Sequence, residues 1–249
     1  MEGAIYIQLP ANKRLVWYLA AEEYFAQNIC ELRQQLGKES GEVLFTWVVP
    51  PTVIFGRHQV MANEVNVAYC KENGVAMYRR KSGGGCVYAD QGNLMISYIS
   101  ASTHSEQVFQ YYLDRMANCL SQMGYGAVKS SHNDIMVGEH KVSGNACFAL
   151  PNATIVHGTM LYDVNFDALQ KAITPSVEKL AKHGVESVRQ RVINLKSAAN
   201  GNCGSSVWEL ADKIQTFWCK HTYVPTAEEL LAIDKIEEEY LDPAFIGRM

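Results

Sequence analysis

The chain has 249 residues, of which 48% are hydrophobic and 19% charged, and its formal net charge is -4. This composition indicates one soluble globular domain, and the acidic balance argues against a general nucleic-acid surface. No apolar stretch is long enough to span a membrane and the N-terminus does not resemble a signal peptide, so we expect a cytoplasmic protein that contacts neither membrane nor nucleic acid.

The first half of the chain predicts alternating strands and helices. Residues 4–9 predict a strand, and apolar residues spaced by three and four between residues 14 and 36 predict an amphipathic helix. Residues 43–55 predict a strand that is interrupted by Pro50-Pro51 and closed by the polar turn Gly56-Arg57-His58-Gln59. A short helix at 67–73 and a strand from residue 75 follow.

The next stretch departs most from ordinary globular sequence. Arg79-Arg80-Lys81-Ser82 precedes three consecutive glycines, Gly83 to Gly85, and then the apolar run Cys86-Val87-Tyr88. Consecutive glycines usually mark positive φ or the close approach of a ligand to the backbone. Exposed N–H groups beside arginines predict a site for phosphate or carboxylate. The alternative is a glycine-rich hairpin with solubilising charges. Neither common nucleotide-binding glycine motif is present, so a phosphate site here would be of a different kind.

The second half predicts more strands, followed by helices. Strands are expected at 94–99 and 153–161, a helix at 105–123, and a hairpin at 134–142 with the two-residue turn Gly138-Glu139. The hairpin runs into Ser143-Gly144-Asn145-Ala146, which we interpret as a second small-residue loop beside Lys141. From about residue 165 the chain is predicted to be mostly helical, with a helix at 174–183 and a capping box at Thr226 and Glu229.

The seven cysteines have no C-x-x-C spacing. They therefore predict neither a disulfide framework nor a zinc site, and most are expected to be small buried hydrophobes.

Several spaced motifs, taken in order, resemble the lipoate–protein ligase A family. The likeness covers roughly residues 40 to 195. The motifs that carry it are Arg79-Arg80-x-Ser82-Gly83-Gly84-Gly85-x-Val87-Tyr88-x-Asp90-x-Gly92-Asn93, Asn133-Asp134, Lys141-Val142-Ser143-Gly144-Asn145-Ala146 and His157-Gly158-Thr159, with support from Gly56-Arg57-His58-Gln59, Glu64-Val65-Asn66, Ser187-Val188-Arg189 and Arg191-Val192.

This resemblance implies an α+β fold with a mixed, largely antiparallel sheet flanked by helices, shared with biotin protein ligase. It implies a single catalytic domain over residues 1–249, without the C-terminal accessory domain that many members carry. Members join lipoate to ATP, with Mg²⁺, and pass the acyl group from lipoyl-AMP to a lysine of a carrier domain, such as the E2 of 2-oxoacid dehydrogenases or the glycine cleavage H protein. Where the accessory domain is missing, adenylation can depend on a separate partner protein.

The resemblance also assigns roles to residues. Lys141 would be catalytic and would touch both the nucleotide and lipoate. Without the surrounding motif, a solvated hairpin lysine is the favoured interpretation, because lysines are mostly exposed. Asp90 would contact magnesium or cap the loop, and no metal ligand is singled out. The remaining assignments are Arg80, Gly85, Cys86, Val87 and Tyr88 to the nucleotide, Arg57, Ser82, Gly84 and His157 to lipoate, and Asp90, Asn93, Asp134, Ser143 and Gly144 as supporting residues.

Three positions depart from the family pattern. Ala89 stands where histidine is common, Met95 where asparagine is frequent, and Cys86 where alanine is usual, so the acyl substrate is left open between lipoate and octanoate. An octanoyltransferase acting through a cysteine thioester is one alternative function, for which Cys86 and Cys147 are the candidate nucleophiles near the motifs. A non-catalytic module that binds lipoate or an acyl-adenylate is the second alternative.

Overall fold

The computed structural model describes residues 3–35, 41–130, 133–173, 192–198 and 201–247. The strands are β1 (Ala4–Ile7), β2 (Glu42–Trp47), β3 (Thr52–Phe55), β4 (Ala76–Arg79), β5 (Val87–Ala89), β6 (Asn93–Ser100), β7 (Val128–Lys129), β8 (Asp134–Val137), β9 (His140–Leu150), β10 (Ala153–Leu161) and β11 (Cys219–Tyr223). The helices are α1 (Leu15–Gln35), α2 (Met61–Glu64), α3 (Val67–Glu72), α4 (Ser105–Gln122), α5 (Phe166–Ala172), α6 (Val207–Trp218), α7 (Ala227–Leu241) and α8 (Pro243–Ile246).

The described strands form two sheets. The larger has eight strands in the order β11-β1-β2-β6-β10-β9-β8-β7, and the smaller has three in the order β4-β3-β5. In the large sheet β1 runs parallel to both of its neighbours, and the other neighbouring strands run antiparallel. The prediction of a mixed, largely antiparallel sheet is therefore confirmed.

Helices cover both faces of the large sheet. Along β6 the side chains alternate, as they do on any strand. Leu94, Ile96 and Tyr98 pack with α4 and α6, whereas Met95 and Ile99 pack with α1 and α7. The small sheet has its own core with α3 and α5. No helix in the described part of the chain combines the length and apolar character needed to cross a bilayer.

Most predicted elements are confirmed, including the capping box of α7 at Thr226 and Glu229 and the hairpin turn between β8 and β9. One prediction is wrong. Residues 143–146 lie inside β9, paired with β8 and β10, and do not form a loop. The C-terminal part also contains a strand that was not predicted, β11, which pairs with β1 at the edge of the large sheet. The helix predicted at 174–183 lies outside the described residues.

Candidate active site

Residues from both sheets, α1 and α5 line a cavity of about 510 Å³. Its lining combines three kinds of group: an apolar set (Leu15, Leu19, Trp47, Ile54 and Met95), the glycine-rich loop (Gly84, Gly85, Cys86, Val87 and Tyr88), and polar side chains of β8 to β10 and the residue before them (Asn133, Asp134, Lys141, Asn145, His157 and Thr159). Such a lining suits a ligand with an apolar chain and an anionic group. Met95 belongs to the apolar set, whereas Ala89 is fully buried in the core.

Lys141 follows the β8–β9 turn and reaches the cavity. Its Nζ lies 2.7 Å from Oδ1 of Asp134 on β8, and the two side chains are 35% and 31% exposed. A Cβ at position 144 would lie 2.7 Å from the same Nζ, so glycine there leaves room for the ammonium group. The hairpin places a partly exposed cation, held by a partly exposed carboxylate, in the cavity wall.

Arg80 also lines the cavity, but its guanidinium is buried and bonded to its own chain. Nε donates to Oγ of Ser82 at 3.0 Å and to the carbonyl of Gly83 at 3.1 Å. Nη2 donates to the carbonyls of Gly83 and Gly85 at 2.6 and 2.8 Å, and Nη1 to that of Ile54 at 3.3 Å. Burial lowers the pKa of Arg80 to about 10. The guanidinium therefore shapes the glycine-rich loop, and its predicted contact with a nucleotide stays a prediction.

Arg79 holds the turn that contains Arg57. Its Nη1 donates to the carbonyls of Gly56, Arg57 and Gln59 at 3.2, 2.9 and 2.8 Å. Gly56 approaches the glycine-rich loop so closely that a Cβ there would lie 2.3 Å from the carbonyl oxygen of Gly84. The Arg57 side chain is exposed and outside the cavity lining. The structure thus brings the turn to the loop without bringing Arg57 to the cavity.

A buried hydrogen-bond chain joins α1 to the glycine-rich loop. Trp47 Nε1 donates to Ser97 Oγ at 2.9 Å, and Ser97 Oγ donates to Glu22 Oε1 at 2.6 Å. Glu22 Oε2 lies 3.0 Å from Nδ1 of His157, whose Nε2 lies 2.8 Å from Oγ of Ser82. Glu22 and Ser97 were missed by the sequence interpretation, since Glu22 is 135 residues from its histidine.

The contacts of Glu22, His157 and Ser82 follow the order of a carboxylate–histidine–serine triad. Ser82 is only 3% exposed, however, and its Oγ also accepts a hydrogen bond from Arg80. It does not belong to the cavity lining, whereas His157 does. The arrangement therefore fixes the position of Ser82 and the imidazole rather than offering a nucleophile to a ligand.

Asp90 and Asn93, which follow the glycine-rich loop, form hydrogen bonds to the backbone around its C-terminal end. Asp90 caps the loop, because its carboxylate accepts hydrogen bonds from the backbone N–H of Gly92 at 2.8 Å and of Asn165 at 3.0 Å. Asn93 is fully buried on β6, and Nδ2 donates weakly to the Tyr88 carbonyl at 3.5 Å. Burial raises the pKa of Tyr88, which keeps its hydroxyl neutral.

Residues of β9 that follow Lys141 form hydrogen bonds within the strand and to the residue before β8. Ser143 is fully buried and donates to Oδ1 of Asn145 at 3.3 Å, while Asn145 Nδ2 donates to the Asn133 carbonyl at 2.9 Å.

Of the predicted site residues, those outside the cavity lining are Arg57, Ser82, Asp90 and Ser143.

The two candidate nucleophilic cysteines lie in different places. Cys86 lines the cavity within the glycine-rich loop. Cys147 lies outside the lining, its Sγ donates to the Ser105 carbonyl at 4.0 Å, and burial raises its pKa to about 11. Cys147 is therefore a protonated thiol at neutral pH and not an activated nucleophile.

No group of three or more histidine, cysteine, aspartate or glutamate side chains in the described residues is arranged to hold a metal ion. Both carboxylate oxygens of Asp90 accept backbone hydrogen bonds. Two carboxylate side chains of the described residues line the cavity, those of Glu64 and Asp134, and Asp134 contacts Lys141. Carboxylate oxygens are ligands that Mg²⁺ accepts.

Comparison with known proteins supports one family throughout. Residues 17–217 match the model of the lipoyl protein ligase A/B catalytic domain. The lipoate-protein ligase LplJ of Bacillus subtilis is 36% identical over 178 residues, which are 71% of this chain and 51% of that protein. Lipoate–protein ligase 1 of Staphylococcus aureus is 35% identical over 73% of this chain and 53% of its own length. The chain thus spans about half the length of the curated relatives it matches.

Solved structures share the fold over the whole chain. A bi-partite lipoate protein ligase from Thermoplasma acidophilum superposes with a TM-score of 0.82 at 23% identity, covering 100% of this chain and 98% of that one. A lipoate-protein ligase A bound with ATP gives a TM-score of 0.80 at 23% identity and covers 100% of both chains. With a family model that matches most of its length, the chain belongs to the lipoyl protein ligase A/B catalytic domain family.

Proposed function

We propose that this chain is the catalytic part of a lipoate–protein ligase, which activates lipoate with ATP and transfers it to a lysine of a lipoyl carrier domain. The observation that carries the proposal is the Lys141 ammonium group in a cavity that the glycine-rich loop and an apolar set also line. The curated relatives named as lipoate–protein ligases support it.

The first step joins two anions. An oxygen of the lipoate carboxylate attacks the α-phosphorus of ATP, the bond to the β-phosphate breaks, and lipoyl-AMP and pyrophosphate result. Fixed positive charge and N–H donors are needed because like charges approach each other. Lys141 supplies the charge, and the backbone of Gly84 and Gly85 lies along the same cavity. The apolar set would hold the lipoate chain.

The second step uses the same lysine. The uncharged amine of the carrier lysine attacks the lipoyl carbonyl and an amide forms. The carbonyl–phosphate bond breaks, AMP leaves with the electron pair, and the proton lost by the amine passes to solvent. Lys141 would stabilise the negative charge that develops on the mixed anhydride. Asp134, 2.7 Å from Nζ, positions the ammonium group before the ligand arrives.

Mg²⁺ would arrive with ATP and neutralise charge on its phosphates, and Glu64 and Asp134 are the carboxylates of the cavity lining that would be available to contact it. We further propose a cytoplasmic location, and as acceptors the carrier domains of 2-oxoacid dehydrogenases and the glycine cleavage H protein. The solved bi-partite ligase is described together with its E2 lipoyl domain, which supports this class of acceptor. Its bi-partite nature also supports a separate accessory protein for the activation step.

The test separates the two steps. A lipoyl carrier domain is incubated with this chain and either lipoate plus Mg-ATP or purified lipoyl-AMP, and its intact mass is measured. A lipoyl mass gain in both tubes means that the chain is self-sufficient. A gain with lipoyl-AMP alone means that transfer is intact and activation needs a partner.

No gain in either tube would contradict the proposed function. Octanoyl-acyl carrier protein would then be offered as donor, because Cys86 lines the cavity and is the thiol that an acyltransferase could use. Binding of lipoyl-AMP without transfer from any donor would instead indicate the non-catalytic module.

A further inference from the structure

Lys81, at the start of the glycine-rich loop, attaches that loop to helix α7. Its Nζ lies 2.9 Å from Oε2 of Glu23 on α1 and 2.8 Å from Oε2 of Glu239 on α7. The same ammonium lies 4.7 Å from the ring centre of Tyr240, whose hydroxyl donates to Glu23. One lysine therefore connects the loop to two helices that pack against each other.

This attachment is largely shielded from water. The side chains of Lys81 and Glu23 are 20% and 8% exposed, whereas that of Glu239 is 67% exposed. Burial opposes the charge on Lys81, but the hydrogen bonds to Glu23 and Glu239 outweigh it and raise the pKa of Lys81. The pair with Glu23 is therefore less screened by solvent than an ordinary surface ion pair.

The adjacent residue of α1 reaches the same loop by a second route. Glu22 contacts His157, and His157 contacts Ser82, which follows Lys81 in the chain. Two neighbouring carboxylates of α1 thus fix two neighbouring residues at the loop root. The three glycines that follow are exposed and begin directly after these anchors. Lys81 is therefore held only three residues before Gly84, the first glycine of the loop that lines the cavity.

We propose that Lys81 is a positioning residue for nucleotide binding, through which α1 and α7 set the position of the glycine-rich loop. Helix α7 lies beyond residues 17–217, the part that matches the family model. The proposal rests on the proposed function, because the loop must hold a nucleotide for its position to matter. It assigns no contact with substrate to Lys81 itself.

A matched pair of variants tests this role. Lys81→Met keeps the length of the side chain and leaves Glu23 without its cation. Arg14→Met does the same to Glu237 on α7, which Arg14 Nε contacts at 2.9 Å. Both carboxylates that lose a cation are 8% exposed. Each variant thus removes a cation that contacts α7, but only Lys81 adjoins the glycine-rich loop.

ATP affinity is measured by calorimetry, with KM and kcat from carrier lipoylation. Lys81→Met should weaken ATP binding and raise KM for ATP by about tenfold. This is a smaller change than the loss of rate, about 100-fold, that a misplacement of about 1 Å can cause. The kcat should change by less than about twofold. Arg14→Met should leave both ATP constants unchanged. Lys81→Arg, which keeps the charge, should restore most of the affinity.

Hydrogen exchange gives a readout that does not depend on activity. Amides of residues 83–87 should exchange faster in Lys81→Met than in Arg14→Met, with both variants folded. Equal ATP affinity and equal loop exchange in the two variants would overturn the positioning role while leaving the proposed function in place. A wild-type chain that binds neither ATP nor lipoyl-AMP would overturn both.

Discussion

Two cations line the same cavity, and the structure gives them different environments. Arg80 is 5% exposed, and its guanidinium donates to Ser82 and to three backbone carbonyls. Lys141 has a side chain that is 35% exposed and lies 2.7 Å from one carboxylate, Asp134. Arg80 is built into the loop, whereas Lys141 can exchange its partner for a ligand.

The difference in burial gives the two cations different roles, one in ordering the chain and one in binding an anion. A buried cation that satisfies backbone carbonyls orders the chain, because those carbonyls would otherwise be left without donors. A partly exposed cation retains the capacity to bind an incoming anion at little cost to stability. The comparison therefore predicts that the two residues can be separated experimentally into one that affects stability and one that affects chemistry.

The largest effect on activity is expected for Lys141→Ala. Loss of a preorganised charge should lower lipoyl transfer by about 100-fold to 1000-fold. The free energy of unfolding should change by less than about 1 kcal/mol, since the ion pair is partly exposed. Transfer is measured by the mass of the carrier domain and stability by urea titration.

Lys129 provides the control for that variant. Its Nζ lies 2.7 Å from Oδ1 of Asp114, and its side chain is 34% exposed, so it matches Lys141 in the distance to a carboxylate and in exposure. Lys129 also donates to Oε1 of Gln110 at 3.0 Å. Lys129 lies outside the cavity lining, and Lys129→Ala should transfer lipoate at the wild-type rate. Equal losses in the two variants would mean that Lys141 has no special role.

Arg80→Met should lower stability more, and activity less, than Lys141→Ala does. The carbonyls of Ile54, Gly83 and Gly85 lose a donor, so the free energy of unfolding should fall by about 2–4 kcal/mol. Activity per folded molecule should fall by about tenfold to 100-fold, because the loop is no longer held in place. An Arg80→Met protein as stable as wild type would contradict the structural role of the guanidinium.

Glu22→Gln should lower the free energy of unfolding by less than Arg80→Met does. Ser97 Oγ accepts a hydrogen bond from Trp47 and donates one to Oε1 of Glu22, while Oε2 of Glu22 contacts His157. Replacing one carboxylate oxygen with an amide weakens the contact to Ser97 or to His157, which should cost about 1–2 kcal/mol of unfolding free energy. Glu31→Gln, at an exposed position on the same helix, removes an equal charge and should leave stability unchanged in the same thermal scans.

Cys86→Ser should have the smallest effect on lipoyl transfer. The ligase chemistry uses no thiol, so the transfer rate should stay within about twofold of wild type, as expected for a near-isosteric change. Loss of all transfer in this variant, with the fold intact by circular dichroism, would favour the thioester mechanism of an acyltransferase.

Local patterns in the sequence predict much of this architecture. The hairpin turn at Gly138-Glu139, the capping box of α7 and the glycine-rich loop between β4 and β5 each depend on residues close together in the chain. Lys141 was found because it follows the hairpin and belongs to a family motif. Its position in the cavity then follows from the pairing of β8, β9 and β10.

Other features depend on packing between distant residues. Ser143 to Ala146 have the composition of a turn, yet they form strand because Asn145 pairs with Gly158 across the sheet. The contact between Glu22 and His157, like that between Lys81 and Glu239, joins residues far apart in sequence. The exposure of Arg57 likewise depends on how Arg79 folds the turn backbone. No local periodicity carries this information.

Lysine labelling tests most directly whether Lys141 meets the ligand. An amine-reactive reagent is applied to the wild-type protein with and without saturating lipoate and Mg-ATP, or with lipoyl-AMP, and the modified lysines are identified by mass spectrometry. The account predicts that Lys141 is labelled in the free protein and protected by ligand, while Lys129 is labelled equally in both samples. Equal labelling of Lys141 with and without bound ligand would contradict it.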